Sequence, residues 1–401
     1  MKKTEAVSTV TEGTKAMKSS SSWGSYLSPR NISAVYLFIL IFIVFAIWTP
    51  QTFLKAETWA NLLDTNSLVV LAAIAVLIPL VTGVFNLAVG AEIAFAMMLC
   101  ITLQIPHDQQ PDLFLAIGLD WWWAAIIAVI VSTLVGLLSG WVVTKLKIDS
   151  FIATLGMSSI IGALTYVVSG NKPFAAPIGF DKVASTAIPL GGFRLTVPVL
   201  TLIVIAFIAW YILERTPVGR RMYAAGFNPD GARLSGVNVG RLQWGSLVAG
   251  GFIAGVIGIL AASKFGGSVA YGVGMLLPAL AAVFLGSTQF RGGRFNVWGT
   301  VLALYVLAVG VQGLLLVKVP KEYSNFLYGV ALIVAVAVSR WERTGKRTKA
   351  IRQATAVTKD GKAKAVAENA SEPESMLPPQ LTPTETALKQ DGIEDQGDSL
   401  K

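Results

Sequence analysis

Long apolar runs, separated by short polar stretches, recur through most of the chain. The first of them covers residues 32–48 and follows about 30 polar residues. Runs of this kind are typical of membrane-spanning helices, because about 20 apolar residues are needed to cross the hydrocarbon core of a bilayer. The pattern predicts further helices at approximately residues 66–82, 88–104, 122–143, 150–168, 196–213, 244–262, 275–287, 297–316 and 325–340.

These runs predict an all-α fold, a polytopic transmembrane helical bundle with about ten spans. Several runs are shorter than a bilayer requires and have Gly or Pro nearby, so some spans are expected to be broken or re-entrant helices. We expect residues 1–31 to form a cytoplasmic N-terminal tail and residues 32–340 to form the transmembrane domain. Residues 341–401 are nearly free of aromatic side chains, which predicts a cytoplasmic, largely disordered C-terminal tail.

Composition supports a membrane protein and excludes several other classes. Of the 401 residues, 54% are hydrophobic and 14% are charged, against roughly 25% charged in soluble domains. Cys100 is the one cysteine, which excludes a disulfide framework. His107 is the one histidine and has no cluster of metal-ligating residues around it in the sequence, so we expect no metal site.

The net charge of +9 is explained by topology. If both termini are cytoplasmic, that face receives twenty basic residues near helix ends, namely Lys2, Lys3, Lys15, Lys18, Arg30, Lys145, Lys147, Arg215, Arg220, Arg221, Arg233, Arg241, Arg291, Arg294, Arg340, Arg343, Lys346, Arg347, Lys349 and Arg352. The other face receives seven, namely Lys55, Lys172, Lys182, Arg194, Lys264, Lys318 and Lys321. This asymmetry is the positive-inside bias of membrane proteins, so we expect no nucleic-acid partner.

The loop at residues 214–241 is the longest on the predicted cytoplasmic face. Asn228 is a favourable N-cap, Pro229 fits the first helical position and Gly236 suits the position just past a helix end. A short helix is therefore predicted at about 229–235, with Leu234 as a possible apolar anchor and Arg233 beside it. The alternative is a polar connector between two spans.

Three stretches carry a resemblance to a known family. They read TPVGRRMYAAGFNPDGARLSGVNV at 216–239, AAVFLGSTQFRGGRFNVWGT at 281–300 and IDSFIATLGM at 148–157. The chain resembles, over about residues 33–340, the membrane permeases of ABC importers for ribose, xylose, arabinose and galactose. Candidate residues for coupling to the ATPase are then Gly226, Asn228, Pro229, Arg233, Leu234, Ser235 and Gly236.

The resemblance implies a set of partners. It implies a homodimeric permease in the bacterial inner membrane, fed by an extracytoplasmic solute-binding protein and driven by a cytoplasmic ATP-binding subunit. The chain has no GxxxxGK motif followed by Ser or Thr, so we expect no cofactor in this chain and no ATPase activity of its own. An enzyme acting alone is the weakest interpretation.

Residues 82–93, TGVFNLAVGAEI, are a second candidate segment. Gly83 and Gly90 on either side of Asn86 would weaken a helix, and broken helices often flank transport pathways. Glu92 lies well inside an apolar run, where an ionised carboxylate costs several kcal/mol. Asn86, Gly90 and Glu92 are therefore candidate pathway residues, although Glu92 could equally lie at headgroup level. In related permeases an Asp is common where Asn86 stands.

Two other classes of membrane protein stay open. A secondary carrier driven by an ion gradient would be expected to use intramembrane carboxylates or histidines, and Glu92 is the one candidate. A channel or structural protein would need no partner ATPase. The transported solute itself cannot be inferred, because selectivity in such importers lies largely in the binding protein.

Overall fold

Helices make up most of the described chain. The computed structural model describes residues 33–190, 193–287, 294–320 and 322–337. Its helices are α1 (Ser33–Trp48), α2 (Pro50–Phe53), α3 (Ala56–Val81), α4 (Val89–Thr102), α5 (Trp121–Lys145), α6 (Ser150–Ser169), α7 (Val197–Arg215), α8 (Pro217–Phe227), α9 (Pro229–Leu234), α10 (Val239–Phe265), α11 (Val269–Gly274), α12 (Leu276–Ser287), α13 (Val297–Leu316) and α14 (Tyr323–Ala337). Both predicted tails lie outside the described residues.

The apolar helices of the described ranges fall into a long group and a short group. Seven helical stretches in the described ranges are long and apolar enough to cross a membrane, namely α3, α5, α6, α7, α10, α13 and the stretch Val269–Ser287. Shorter apolar helices lie at Phe38–Trp48, Val89–Thr102 and Tyr323–Ala337. The chain is thus a polytopic helical bundle, and the figure of about ten spans stays a prediction.

The prediction of a purely helical fold is wrong at one place. Strands β1 (Ala187–Leu190) and β2 (Phe193–Thr196) form an antiparallel hairpin in which Ala187 pairs with Thr196. In the sequence, two glycines separate two short runs that contain β-branched and aromatic residues. This pattern is a hairpin signal, and the search for long apolar runs overlooked it.

Helix α4 forms the centre of the described bundle. All of its residues are buried, and it packs against α5, α6, α10 and α11. The contact with α10 depends on Gly258, because a Cβ at that position would lie 2.6 Å from the Ala96 Cβ and 2.9 Å from the Ile93 carbonyl oxygen. Small residues are favoured between membrane helices because they allow such close backbone approach.

Contacts between helices distinguish the two ends of the bundle. Helices α8 and α9 lie at one end, where Gly226 of α8 meets Gly83 just beyond the end of α3. We call this end the α8–α9 face. The opposite face holds the start of α3 and the end of α10, where Asp64 meets Lys264.

Helices α6 and α7 turn large apolar side chains away from the protein. Leu155 and Ile160 of α6, and Phe207 and Ile208 of α7, are about half exposed. Exposed apolar side chains on long helices are stable against lipid rather than water. These faces therefore border lipid or another membrane-embedded surface.

A partly buried ion pair lies in the first half of α3, which begins ten residues earlier than the predicted start at 66. The Asp64 carboxylate pairs with Lys264 and also accepts a hydrogen bond from the Thr196 hydroxyl. The side chains of the pair are only 20% and 17% exposed. Because the carboxylate is satisfied here, its charge does not end the helix, and the contacts join α3 to α10 and to the end of the hairpin.

Replacing Lys264 with methionine should destabilise the protein, because the Asp64 carboxylate would keep its burial and lose its cation. The expected loss is on the order of 1–3 kcal/mol, less than for a fully buried pair because water still reaches these side chains. Thermal unfolding in detergent measures it. The double variant Asp64→Asn with Lys264→Met should be more stable than Lys264→Met alone, and exposed Lys182→Met is the control. A double variant no more stable than the single one would contradict this account.

Candidate functional site

The transmembrane chain is interrupted between α3 and α4, and residues 82–88 form what we call the broken segment. Pro79 lies in the last turn of α3, and the Thr82 hydroxyl donates to the Pro79 carbonyl at 2.8 Å. Gly83 then adopts a φ of +84°, a conformation that other residues rarely take. The interruption coincides with the stretch that the sequence marks as a weak helix.

Hydroxyl groups of α6 hold the backbone of the broken segment. The Phe85 amide donates to the Ser150 Oγ at 3.1 Å, and the Leu87 amide donates to the Thr154 Oγ1 at 3.1 Å. Asp149 caps the start of α6 by accepting from the Phe151 amide at 2.9 Å. Amides in a membrane interior need partners within the protein, and α6 supplies two of them.

This contact gives a role to a motif whose function the sequence did not reveal. Ser150 and Thr154 belong to the stretch 148–157, which carries part of the family resemblance. Their hydroxyls bond to residues more than sixty positions away in the chain. The sequence offered one signal for this contact. Ser150 and Thr154 are four positions apart near the start of an apolar helix, so their hydroxyls share one helix face.

The three candidate pathway residues lie inside the protein. Asn86 is 1% exposed, and Glu92 is fully buried within the protein. A Cβ on Gly90 would lie 2.9 Å from the Gly272 carbonyl oxygen of α11, so α4 and α11 touch there. The described conformation therefore encloses all three residues within protein.

Glu92 and Asn86 form a polar pair in an apolar interior. Asn86 Oδ1 accepts from the Ala88 amide at 3.1 Å, and the Asn86 side chain lies near the Glu92 carboxyl. No hydrogen bond of normal geometry reaches Asn86 Nδ2 or either Glu92 carboxyl oxygen from the described residues. A small polar molecule could donate a hydrogen bond to the Glu92 carboxylate and accept one from the Asn86 amide.

The predicted short helix is present as α9, one residue shorter than expected. Asn228 Oδ1 accepts from the Gly231 amide at 3.0 Å, Pro229 is the first helical residue and Gly236 adopts a φ of +80°. Ser235 forms the C-cap. The caps therefore set the helix limits as the sequence predicted.

The surface of α9 is exposed where a partner could bind. Leu234 is 92% exposed. Arg233 lies beside it and pairs with Asp230 at 3.1 Å, with both side chains open to solvent. Leu234 thus has the exposure that an apolar anchor requires.

A second helix in this loop, α8, was not predicted. The Thr216 hydroxyl accepts from the Gly219 amide at 3.3 Å and Pro217 is the first helical residue, the same start that marks α9. Met222 and Ala225 lie on the buried face of α8. The Thr-Pro pair was therefore a readable signal that the sequence analysis missed.

Gly226, near the end of α8, touches the broken segment directly. A Cβ at Gly226 would lie 2.2 Å from the Val81 carbonyl oxygen and 3.0 Å from the Gly83 amide nitrogen. Only glycine permits so close an approach of two backbones. The loop that carries α9 is thus packed against the point where the transmembrane chain is interrupted.

A cavity of about 650 Å³ opens beside this contact on the α8–α9 face. It is lined by Gly83 and Val84 of the broken segment, Ser150 of α6 and Arg233 of α9, together with Val143, Thr144, Lys147, Ile148, Asp149, Gly240 and Gln243. The cavity brings together the broken segment, its hydroxyl support and the short helix. We call it the α8–α9 cavity.

Comparison with known proteins identifies the family of this chain. Residues 58–336 match the family described as the branched-chain amino acid transport system / permease component. The chain belongs to this permease family. The permease matches no solved structure significantly.

The relatives of the permease include sugar importers. It is 29% identical to the ribose import permease of Haemophilus influenzae, over 78% of this chain and 94% of that protein. It is 28% identical to the galactose/methyl galactoside import permease of Escherichia coli, over 80% of this chain and 98% of that protein. It is 30% identical to the ribose import permease of Bacillus subtilis, over 76% of this chain and 90% of that protein.

Removing the α6 hydroxyls should destabilise the permease, because one buried and one partly buried amide would lose their partners. We expect Ser150→Ala and Thr154→Val each to lower the free energy of unfolding by about 1–3 kcal/mol. Thermal unfolding in detergent checks this. Ser159→Ala is the matched control, since its exposed hydroxyl bonds only to its own helix at Leu155. Equal stability of all three variants would show that the amides have other partners.

Proposed function

We propose that this chain is the membrane-spanning permease subunit of an ABC importer, and that it forms the pathway for a monosaccharide or a similar sugar-like solute. One observation carries the proposal: the chain matches 90–98% of the length of three sugar import permeases. The family description names branched-chain amino acids. The curated relatives import sugars, and they favour a sugar for this chain.

The α8–α9 face is proposed to be cytoplasmic, with both termini on that side of the bacterial inner membrane. Basic residues gather at this face, including Lys147, Arg215 and Arg241, and cytoplasmic loops of membrane proteins are enriched in them. Residues 1–31 and 341–401 are then the two cytoplasmic tails.

Energy coupling is proposed to run through α8 and α9. The exposed Leu234 would enter an apolar groove on a cytoplasmic ATP-binding subunit, with Arg233 and the capped ends at Asn228 and Gly236 fixing its position. Movement of that subunit would displace α9 and α8 together. Since Gly226 contacts Val81 and Gly83, the displacement would reach the broken segment without passing through flexible side chains.

The pathway is proposed to open between the broken segment and its neighbours, past Asn86, Gly90 and Glu92. The α8–α9 cavity already reaches Gly83 and Val84 from one face. Displacement of the broken segment would extend that cavity toward Asn86 and Glu92. Their unpartnered polar groups would then meet the hydroxyls of the solute.

The remaining components are proposed to be partners. ATP would be hydrolysed by the cytoplasmic subunit and not by this chain. An extracytoplasmic binding protein would deliver the solute to the face opposite α8 and α9. A second copy of the permease would complete the transport unit as a homodimer.

Reconstitution tests this function against its alternative. Proteoliposomes that contain the permease, the ATPase subunit and the binding protein encoded with it should take up a monosaccharide only when ATP is supplied at the α8–α9 face. Omission of the ATPase subunit is the control and should abolish uptake. Uptake by the permease alone, driven by a proton or sodium gradient, would instead identify a secondary carrier.

Disrupting either end of the coupling route should reduce uptake at least about tenfold, because a desolvated charge or a forced separation costs several kcal/mol. Leu234→Asp places a carboxylate in the proposed groove, and Gly226→Ala pushes α8 away from the broken segment. Binding-protein-stimulated ATP hydrolysis and uptake are the measurements. Leu234→Met keeps the apolar anchor, and a Cβ at Gly245 meets no atom within 4 Å, so Leu234→Met and Gly245→Ala should behave as wild type. Wild-type uptake by Leu234→Asp would make this loop a connector.

A further inference from the structure

We propose that a second cavity, at the far end of α4, is a binding site for a single neutral sugar ring on the face opposite α8 and α9. This glutamine cavity has a volume of about 230 Å³ and is lined by Gln104, Gln109, Gln110 and Phe174, with Pro106 and Pro177 among the remaining residues. The inference rests on the proposed function and adds to it a site for the solute outside the enclosed Asn86 and Glu92.

The lining matches the chemistry of a polyol. Each glutamine amide can both donate and accept hydrogen bonds, as can each sugar hydroxyl. Phe174 and the prolines supply apolar surface for the C–H groups of a ring. All lining residues are uncharged.

Absence of charge in the lining argues against an amino acid. A zwitterion would find no oppositely charged side chain for its ammonium or carboxylate among the lining residues. The glutamine cavity therefore favours a neutral polyhydroxyl compound over the amino acids that the family description names.

The walls of the glutamine cavity are held in place. Gln104 is 9% exposed, and its Nε2 donates to the Cys100 carbonyl at 2.7 Å, which fixes the amide at the end of α4. Phe174 and Gly267 exchange two backbone hydrogen bonds, at 3.2 and 2.7 Å, which fix the loop to the start of the α11 region. Preorganised walls reduce the entropy cost of binding a small ligand.

Size and position agree with a waiting site for one solute. A volume of about 230 Å³ corresponds to about eight water molecules at liquid density, enough for one ring. Helix α4 has 14 residues and is therefore about 21 Å long. It joins the glutamine cavity at one end to Glu92 and the broken segment at the other.

Ligand-observed saturation-transfer NMR on the permease in lipid nanodiscs tests the site, with D-ribose, D-galactose, D-fructose and D-allose as probes and L-leucine for comparison. At least one sugar should receive saturation and leucine should not. The double variant Gln109→Leu with Gln110→Leu should reduce the sugar signal at least about fivefold. Gln51→Leu, an exposed amide outside the cavity, should leave the signal unchanged, and thermal unfolding confirms that each variant is folded.

The outcomes separate this site from the proposed function. Equal sugar signals in wild type and in the folded double variant, no sugar signal at all, or a leucine signal would overturn the glutamine cavity. ATP-dependent monosaccharide uptake in the reconstituted importer would leave the proposed function standing in each of those cases. The same importer taking up leucine and no sugar would overturn the function itself.

Discussion

The need to satisfy backbone amides inside a membrane governs the centre of this protein. The broken segment has peptide groups outside any helix, and Ser150 and Thr154 supply acceptors for two of its amides. These two hydrogen bonds join the start of α6 to the broken segment. Asp149 supports this contact by capping α6, so that the Ser150 hydroxyl is directed to another part of the chain.

Backbone contact extends the same constraint to the protein surface. Gly226 joins α8 to the interruption with no side chain between them, so the two parts cannot move independently without losing their packing. Stiff contacts of this kind transmit displacement better than long side chains, because packed interiors deform little. The enclosed Asn86 and Glu92 lie a few residues further along the same chain.

Local signals were predictable from sequence, and long-range contacts were not. The limits of α9 follow from Asn228, Pro229 and Gly236, and apolar runs located each long helix. The early start of α3 was missed because residues 56–65 lie outside the apolar run from which the helix was predicted. The Ser150 contact and the burial of Glu92 depend on residues far apart in sequence. Helix α8 and the hairpin did have local signals, but both elements are too short to be found by a search for long apolar runs.

The Asp64–Lys264 pair also constrains the order in which the protein can be built. The two residues are separated by 200 positions, so Asp64 emerges from the ribosome long before its cation exists. At roughly 5–20 residues per second the interval is about 10–40 s. During that time α3 carries an unpaired acidic residue near its first turns, where lipid accepts charge poorly. The ion pair can therefore form only after α10 has been made, so this contact between α3 and α10 is a late one.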